Sequence, residues 1–248
     1  MSKQTTTTFV TGGASGIGAA IVRAHARRGD HVAFTYWSSA DEAQALATEL
    51  GDRALALRSD VTDEAQVDQA FAQALTRFGR IDTVVANAGG LLKRVKCVDM
   101  TLEFWNQAIT LNQTSTFLCC RAALRHMLPR RRGNIVIMSS LAGHDGGGPG
   151  ASHYGAAKGA LLSYTRALAK EVGAEGIRVN AIAPGLIATR FHDVFNTPEG
   201  RSAGVGRTPL RREGQPEDVA NAALYLSSDA ASFITGEVIE VNGGMALY

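Results

Sequence analysis

The chain has 248 residues, 45% of them hydrophobic and 19% charged, the balance of a globular protein with a substantial core. Its 25 Lys and Arg against 23 Asp and Glu leave a net charge of only +2, which gives no whole-molecule attraction to nucleic acid or anionic membranes. No apolar run approaches the ~18 residues of a spanning helix, and the opening Met1-Ser2-Lys3-Gln4 and four threonines lack the apolar core of a secretion signal. Three cysteines (Cys97, Cys119, Cys120) cannot all pair, which points to a reducing cytoplasm.

Strand and helix patterns alternate almost to the end. Residues 6–11 read as the first strand, and Thr11-Gly12-Gly13-Ala14-Ser15-Gly16-Ile17-Gly18 leads from it into a helix over 16–28. Glycines permit a sharp turn and let the backbone approach a diphosphate, and the helix start adds free N–H groups and partial positive charge. Gly12, Ser15, Gly16, Ile17 and Gly18 are therefore candidate dinucleotide contacts. A second strand over 31–36 runs into Tyr36-Trp37-Ser38-Ser39, with no carboxylate before Asp41. A 2′-phosphate is not repelled there, and Ser38 and Ser39 can donate hydrogen bonds to it, so NADP(H) is favoured over NAD(H). No arginine in this stretch clamps the phosphate.

A helix over 40–50, a short strand over 53–57, a helix over 63–78 and a strand over 81–86 continue the pattern. One long helix is expected over 102–128, ending at Pro129 and the cluster Arg130-Arg131-Arg132. A strand over 134–139, a helix over 154–172, a strand over 177–183, a helix over 216–227 and a strand over 237–241 complete the set. Residues 186–214, rich in Gly, Pro, Arg and Thr, read as an irregular substrate loop or lid. The alternation predicts a single α/β domain spanning 1–248: a doubly wound Rossmann-type parallel sheet of about seven strands with helices on both faces.

Tyr154 and Lys158 lie four residues apart on the predicted 154–172 helix, so both side chains share a face. An ammonium beside a phenol favours the phenolate; moving a tyrosine from ~10 down by ~3 units takes roughly 4 kcal/mol of differential stabilisation. The pair reads as a tuned proton donor for a carbonyl oxygen, with Ser140 upstream beyond a glycine-rich stretch.

Taken in order, these motifs resemble the short-chain dehydrogenase/reductase family over nearly the whole chain. The nucleotide motif matches Thr11 to Gly18, the acidic adenine contact matches Asp60-Val61, and the Asn-Ala-Gly motif is Asn87-Ala88-Gly89. Asn112, Ser140, Tyr154 and Lys158 correspond to the catalytic set. Pro184-Gly185 matches the family turn, with Ile187 and Thr189 at the nicotinamide carboxamide, and Ile234-Thr235-Gly236 and Val241-Asn242-Gly243-Gly244 match later signatures. The resemblance implies that Tyr154 passes a proton to or from the substrate oxygen while hydride moves to or from the nicotinamide. Lys158 would lower the tyrosine pKa and hold the nicotinamide ribose, Ser140 would polarise the carbonyl, and Asn112 would hold a water through its main chain. It also implies a homotetramer; no metal site is expected.

Within the family, the sequence is similar to 3-oxoacyl-(acyl carrier protein) reductases and to sugar or polyol dehydrogenases. Arg130-Arg131-Arg132 suits an acidic carrier protein or, equally, a solvated helix end. Val172-Gly173-Ala174-Glu175-Gly176 lacks the second basic site those reductases carry near the end of the catalytic helix. Lys93-Arg94-Val95-Lys96 follows the Asn-Ala-Gly motif, so Arg94 is a candidate contact for a small anionic substrate such as a keto acid, keto sugar acid or sugar. His144 and His153 border the glycine-rich segment 143–150, which is one residue longer than in many relatives, and are further substrate candidates. An epimerase and a cofactor-sensing protein are the rival readings; retention of both Tyr154 and Lys158 disfavours the second.

Overall fold

Seven parallel strands form one sheet in the computed structural model, which describes residues 5–248. They are β1 (Thr7–Val10), β2 (His31–Tyr36), β3 (Ala54–Arg58), β4 (Thr83–Ala86), β5 (Gly133–Met138), β6 (Ile177–Pro184) and β7 (Val238–Val241), in the order β3-β2-β1-β4-β5-β6-β7. The expected doubly wound fold is therefore present. Strand order reverses between β1 and β4, which opens a crevice at their carboxyl ends.

Alternate residues of each strand enter different cores, as a period of two requires. Phe9 and Ile135 pack with Phe71 of α3 (Glu64–Phe78), Cys119 of α5 (Ser115–Met127) and Leu161 of α7 (Ser152–Val172). Their neighbours Val10 and Val136 pack on the other face with Ile21 of α1 (Gly16–Arg28), Leu46 of α2 (Ala40–Leu50) and Val219 of α10 (Pro216–Leu226). Burial on both faces explains why the strands read as continuous apolar runs.

The expected 102–128 helix is interrupted. α4 (Leu102–Ile109) passes into a π-helical turn, Thr110–Thr114, before α5 begins. Asn112 Nδ2 donates to Ala108 O and to Gly90 O, both at 2.9 Å, while Ser115 and Thr116 hydroxyls donate back to Leu111 O at 2.6 Å and Asn112 O at 2.9 Å. Side chains competing for ladder carbonyls widen the turn at this one place.

The stretch 186–214 is also more ordered than expected. It contains α8 (Arg190–Phe195) and α9 (Pro198–Arg207), the latter started by Pro198 and by Thr197, whose Oγ1 accepts from Gly200 N at 3.1 Å. A short α6 (Ala142–Asp145) lies in the glycine-rich segment, and α7 starts at Ser152, two residues before the expected position. Among the described residues no helix is long and apolar enough to cross a membrane.

A buried polar cluster sits where α1 meets β2. His25 Nδ1 lies 2.8 Å from Asp30 and 2.9 Å from Thr8 Oγ1, and Arg28 Nη2 donates to Asp30 at 2.5 Å. Burial pushes the His25 pKa down, and its Nε2 has no partner, so a second ring proton would be a buried, unsatisfied donor. For Asp30, burial alone would raise the pKa, but hydrogen bonds from His25, Arg28 and Thr6 hold it at about 2. Both folded values lie below their unfolded ones, ~6.5 and ~3.9, so the unfolded chain binds more protons on acidification. Stability from His25 is present above ~6.5 and lost as pH falls below it; that from Asp30 is lost between ~3.9 and about 2. Urea midpoints should therefore fall steadily from pH 7 to 5, and His25→Gln should flatten that slope; an unchanged slope would show that His25 does not set it.

Candidate active site

The glycine turn is suspended between two strands at the crevice. Thr11 Oγ1 accepts from Asn87 N at 2.9 Å and Ala88 N at 3.0 Å, and Asn87 Nδ2 returns bonds to Thr11 O at 2.9 Å and Gly12 O at 3.2 Å. On the other side Thr35 accepts Gly12 N through Oγ1 at 3.2 Å and Gly13 N through its carbonyl at 2.8 Å. Gly12 and Gly16 have φ of +64° and +52°, which favours glycine, and a Cβ on Gly18 would overlap the Gly12 carbonyl oxygen. α1 begins at Ser15 without a side-chain cap and without an acidic residue in its first turn. Its N–H groups and positive end are thus left for an anion. The cradle fits a dinucleotide diphosphate. Asp60 Oδ1 accepts from Thr62 N at 2.9 Å and Thr62 Oγ1 at 2.6 Å, and Val61 is buried beside it.

Ser140, Tyr154 and Lys158 meet at the carboxyl end of β5. Of the two adjacent serines, Ser139 is buried and donates to Lys158 O at 2.8 Å, while Ser140 is the polar neighbour that lowers the pKa of the Tyr154 phenol. Ala142 N donates to Ser140 Oγ at 3.1 Å and fixes the hydroxyl's position. Lys158 is buried, and its Nζ donates to Met138 O at 2.8 Å while lying 5.8 Å from the Tyr154 ring centroid. Asn112 Oδ1 accepts from Gly90 N at 2.9 Å. A Cβ on Gly89 would stand 2.6 Å from Asn112 Oδ1 and 3.0 Å from Lys158 Nζ, so only glycine lets Asn87-Ala88-Gly89 pass this close.

The electrostatics differ from the expected lysine-acidified tyrosine. Burial raises the Tyr154 pKa, and neighbouring Ser140 offsets part of it. The Lys158 ammonium is hydrogen-bonded to a backbone carbonyl rather than to the phenol, and its own pKa is lowered by burial to about 8. Tyr154 is accordingly held protonated at neutral pH.

Gly185 N donates to Val241 O at 3.0 Å, and a Cβ on Gly185 would lie 2.7 Å from Asn242 Cβ. Asn242 in turn accepts from Gly244 N and donates to Ala246 O, both at 2.9 Å, which accounts for the Val241-Asn242-Gly243-Gly244 run beside Pro184-Gly185. Ile187 bridges to Gly214, and Thr189 Cγ2 would be 3.5 Å from a Cβ on Gly16, so Thr189 faces the cradle. α8 follows at once and sets the Phe191 ring 5.9 Å from Tyr154 and 5.0 Å from Phe195. Phe191 and Phe195 were not among the sequence candidates, because nothing local marks a lid aromatic as a neighbour of Tyr154.

Each of the three substrate candidates has partners within the chain. His153 is fully buried, with Nε2 2.9 Å from Leu91 O and its ring 5.1 Å from Phe104. His144 pairs with Glu240 at 2.8 Å and stacks on Tyr248 at 4.2 Å. Arg94 donates to Phe195 O at 3.2 Å, Pro149 O at 3.0 Å and Asn196 Oδ1 at 3.3 Å, tying the lid to the glycine-rich loop. Arg94→Ala should therefore lower kcat/KM about tenfold for anionic and neutral substrates alike, by loosening the lid that positions substrate. A loss confined to anionic substrates would instead make Arg94 a substrate contact.

Fold and crevice together define the class, an oxidoreductase working with a nicotinamide dinucleotide held at the switch point of a parallel sheet. Residues 12–246 match the family model described as "Enoyl-(Acyl carrier protein) reductase". The chain belongs to the short-chain dehydrogenase/reductase family. It is 38% identical to the 3-oxoacyl-[acyl-carrier-protein] reductase of Synechocystis sp., over 97% of this chain and 96% of that one. It is 40% identical to the cis-4-hydroxycyclohexanecarboxylate dehydrogenase of Sinomonas cyclohexanicum, over 95% and 94% of the two chains. A solved structure described as "Crystal structure of gox2181" superposes with a TM-score of 0.92 at 33% identity, covering 99% of this chain and 97% of the other. The protein is thus an NAD(P)(H)-dependent enzyme that interconverts carbonyl and alcohol groups.

Proposed function

We propose that this enzyme reduces a small polar carbonyl compound, a keto acid, keto sugar acid or sugar, with NADPH as the preferred reductant. The observation that carries the reading is the placing of Ser140 and the Tyr154 phenol together at the end of β5, with the Phe191 ring 5.9 Å from Tyr154 and Lys158 one turn further along α7. Gly12, Ser15, Gly16, Ile17 and Gly18 would hold the diphosphate; Asp60 and Val61 the adenine; Asn87, Ala88 and Gly89 would line the cofactor crevice between them and Lys158. Tyr154 and Lys158 would hold the nicotinamide ribose, and Pro184, Gly185, Ile187 and Thr189 the carboxamide. When bound, the dinucleotide supplies the hydride. Ser140 hydrogen-bonds the carbonyl oxygen and Tyr154 gives it a proton, so the carbonyl carbon and oxygen each end with one added hydrogen. Lys158, donating to Met138 O, secures the end of β5 beside that phenol. Asn112 acts as a positioning residue, holding Gly90 and the π-helical turn.

The 40% identity to a dehydrogenase of a hydroxylated ring carboxylate supports a small carboxylated substrate. A second reading, reduction of carrier-bound 3-oxoacyl groups, draws on the 38% identity to such reductases. Against it, two of the three clustered arginines are committed within the chain: Arg130 lies 3.7 Å from Asp82, and Arg131 pairs with Glu175 at 2.5 Å. Free thiols at Cys97, Cys119 and Cys120 support a reducing cytoplasm. Exposed Leu102 on α4 and Phe117 on α5 support association into a homotetramer. The deciding experiment is a panel of keto acids, keto sugars and 3-oxoacyl thioesters offered with NADPH and with NADH. Stoichiometric NADPH oxidation with a small keto acid is expected; turnover of the acyl thioesters alone would overturn the reading, and epimerisation without net NADPH loss would point to a closed redox cycle.

A further inference from the structure

The cation missing from the end of β2 is supplied by the neighbouring strand. Tyr36, the last residue of β2, is in register with Arg58, the last residue of β3. The Arg58 guanidinium carbon lies 5.1 Å from the centroid of Trp37, the next residue in the chain. Both side chains are exposed, Trp37 at 55%, and Arg58 enters no ion pair among the described residues. A guanidinium stacked on an indole keeps its charge and its fork of N–H donors while losing much of its rotamer freedom. This arginine is therefore oriented rather than merely present.

Its placement relative to the cradle follows from the sheet. Thr35 binds Gly12 and Gly13 of the phosphate turn, and Tyr36 and Trp37 come directly after it. Asp60, the proposed adenine contact, is two residues beyond Arg58. The Tyr36-Trp37-Ser38-Ser39 stretch contains neither a carboxylate nor a cation of its own, and Ser39 makes no side-chain bond as N-cap of α2. Arg58 therefore brings a guanidinium to the end of β2 from across the strand pair, close in the chain to Ser38 and Ser39.

We infer that Arg58, held on Trp37, is the residue that makes the enzyme prefer NADP(H), by clamping the 2′-phosphate together with Ser38 and Ser39. The inference rests on the NADPH reading above and assigns it to one side chain. A charge-assisted, bidentate contact to a phosphate is lost completely when the guanidinium is removed, whereas a 2′-hydroxyl makes no use of it.

Isothermal titration of the full chain with 2′,5′-ADP, 5′-AMP, NADPH and NADH tests this without turnover. The parent should bind NADPH more tightly than NADH. Arg58→Gln, which leaves the fold intact at an exposed strand end, should weaken 2′,5′-ADP and NADPH by at least about tenfold while moving 5′-AMP and NADH by less than about twofold. Arg58→Glu should reverse the preference. Equal losses for the phosphorylated and unphosphorylated ligands, or no loss in either, would overturn the role of Arg58 while leaving an NADPH preference in the parent standing. A parent that favours NADH would remove the NADPH reading itself, and the inference with it.

Discussion

A Tyr154→Phe variant is expected to lose about 10²- to 10⁴-fold in kcat, the range a positioned general acid contributes. The exchange removes one oxygen from a half-buried ring whose other neighbours are the Phe191 ring and the Lys158 ammonium. Packing is conserved, so the thermal midpoint should move little and NADPH should still bind. The discriminating measurement is therefore the split between kcat and the dissociation constant: kcat should fall by that factor, and NADPH affinity by no more than the loss of one ribose hydrogen bond, about tenfold. The pH profile carries the same mechanism. Burial holds the phenol above its ordinary value, so Tyr154 is protonated at neutral pH and ready to donate, which suits carbonyl reduction. Alcohol oxidation needs the phenolate and should speed up as pH rises. Lys158, lowered to about 8, loses its charge over the same upper range and with it part of its hold on the nicotinamide ribose, so the oxidation profile should level off or fall at high pH. A variant turning over within about threefold of the parent would remove Tyr154 from the proton-transfer step.

The strands and most helices were legible because burial on both faces leaves continuous apolar runs and helices carry a longer period. The cradle was legible for a different reason: its shape depends on residues adjacent in the chain, Gly12 to Gly18. What escaped depends on partners remote in sequence. No periodicity reveals that Asn112 reaches Ala108 and Gly90, so the π-helical turn looked like uninterrupted helix. α9 contains Gly200, Gly204 and Gly206, which suppress helical propensity, and it forms because Thr197 and Pro198 start it. Arg94, His144 and His153 have substrate-like chemistry, but their acceptors, Phe195, Glu240 and Leu91, come from other segments. Arg58 was overlooked for the converse reason: its importance depends on β3 lying beside β2, a fact about the sheet rather than about either strand.

The sharpest test of the cradle is a single methyl group. Gly18→Ala places a Cβ on top of the Gly12 carbonyl oxygen and 2.8 Å from Asn87 Nδ2. Neither neighbour can yield cheaply. The first is backbone in a turn already pinned by Thr35, and the second is the amide that bonds Thr11 O and Gly12 O. Relief requires α1 to shift away from the turn, which misplaces the N–H groups that face the diphosphate. Overpacking of this kind costs ~1–3 kcal/mol, which for a chain of this size lowers the thermal midpoint by roughly 2–12 °C. NADPH and NADH affinity should both fall by more than about tenfold, since the diphosphate is common to the two. Gly173→Ala is the matched control: Gly173 has φ −61° and ψ −40°, and a Cβ there meets nothing within 4 Å. It should be neutral or stabilise by ~0.4–1 kcal/mol through the unfolded chain. If Gly18→Ala behaved like Gly173→Ala in both midpoint and affinity, the close approach of α1 to the Gly12 turn would not be what holds the dinucleotide.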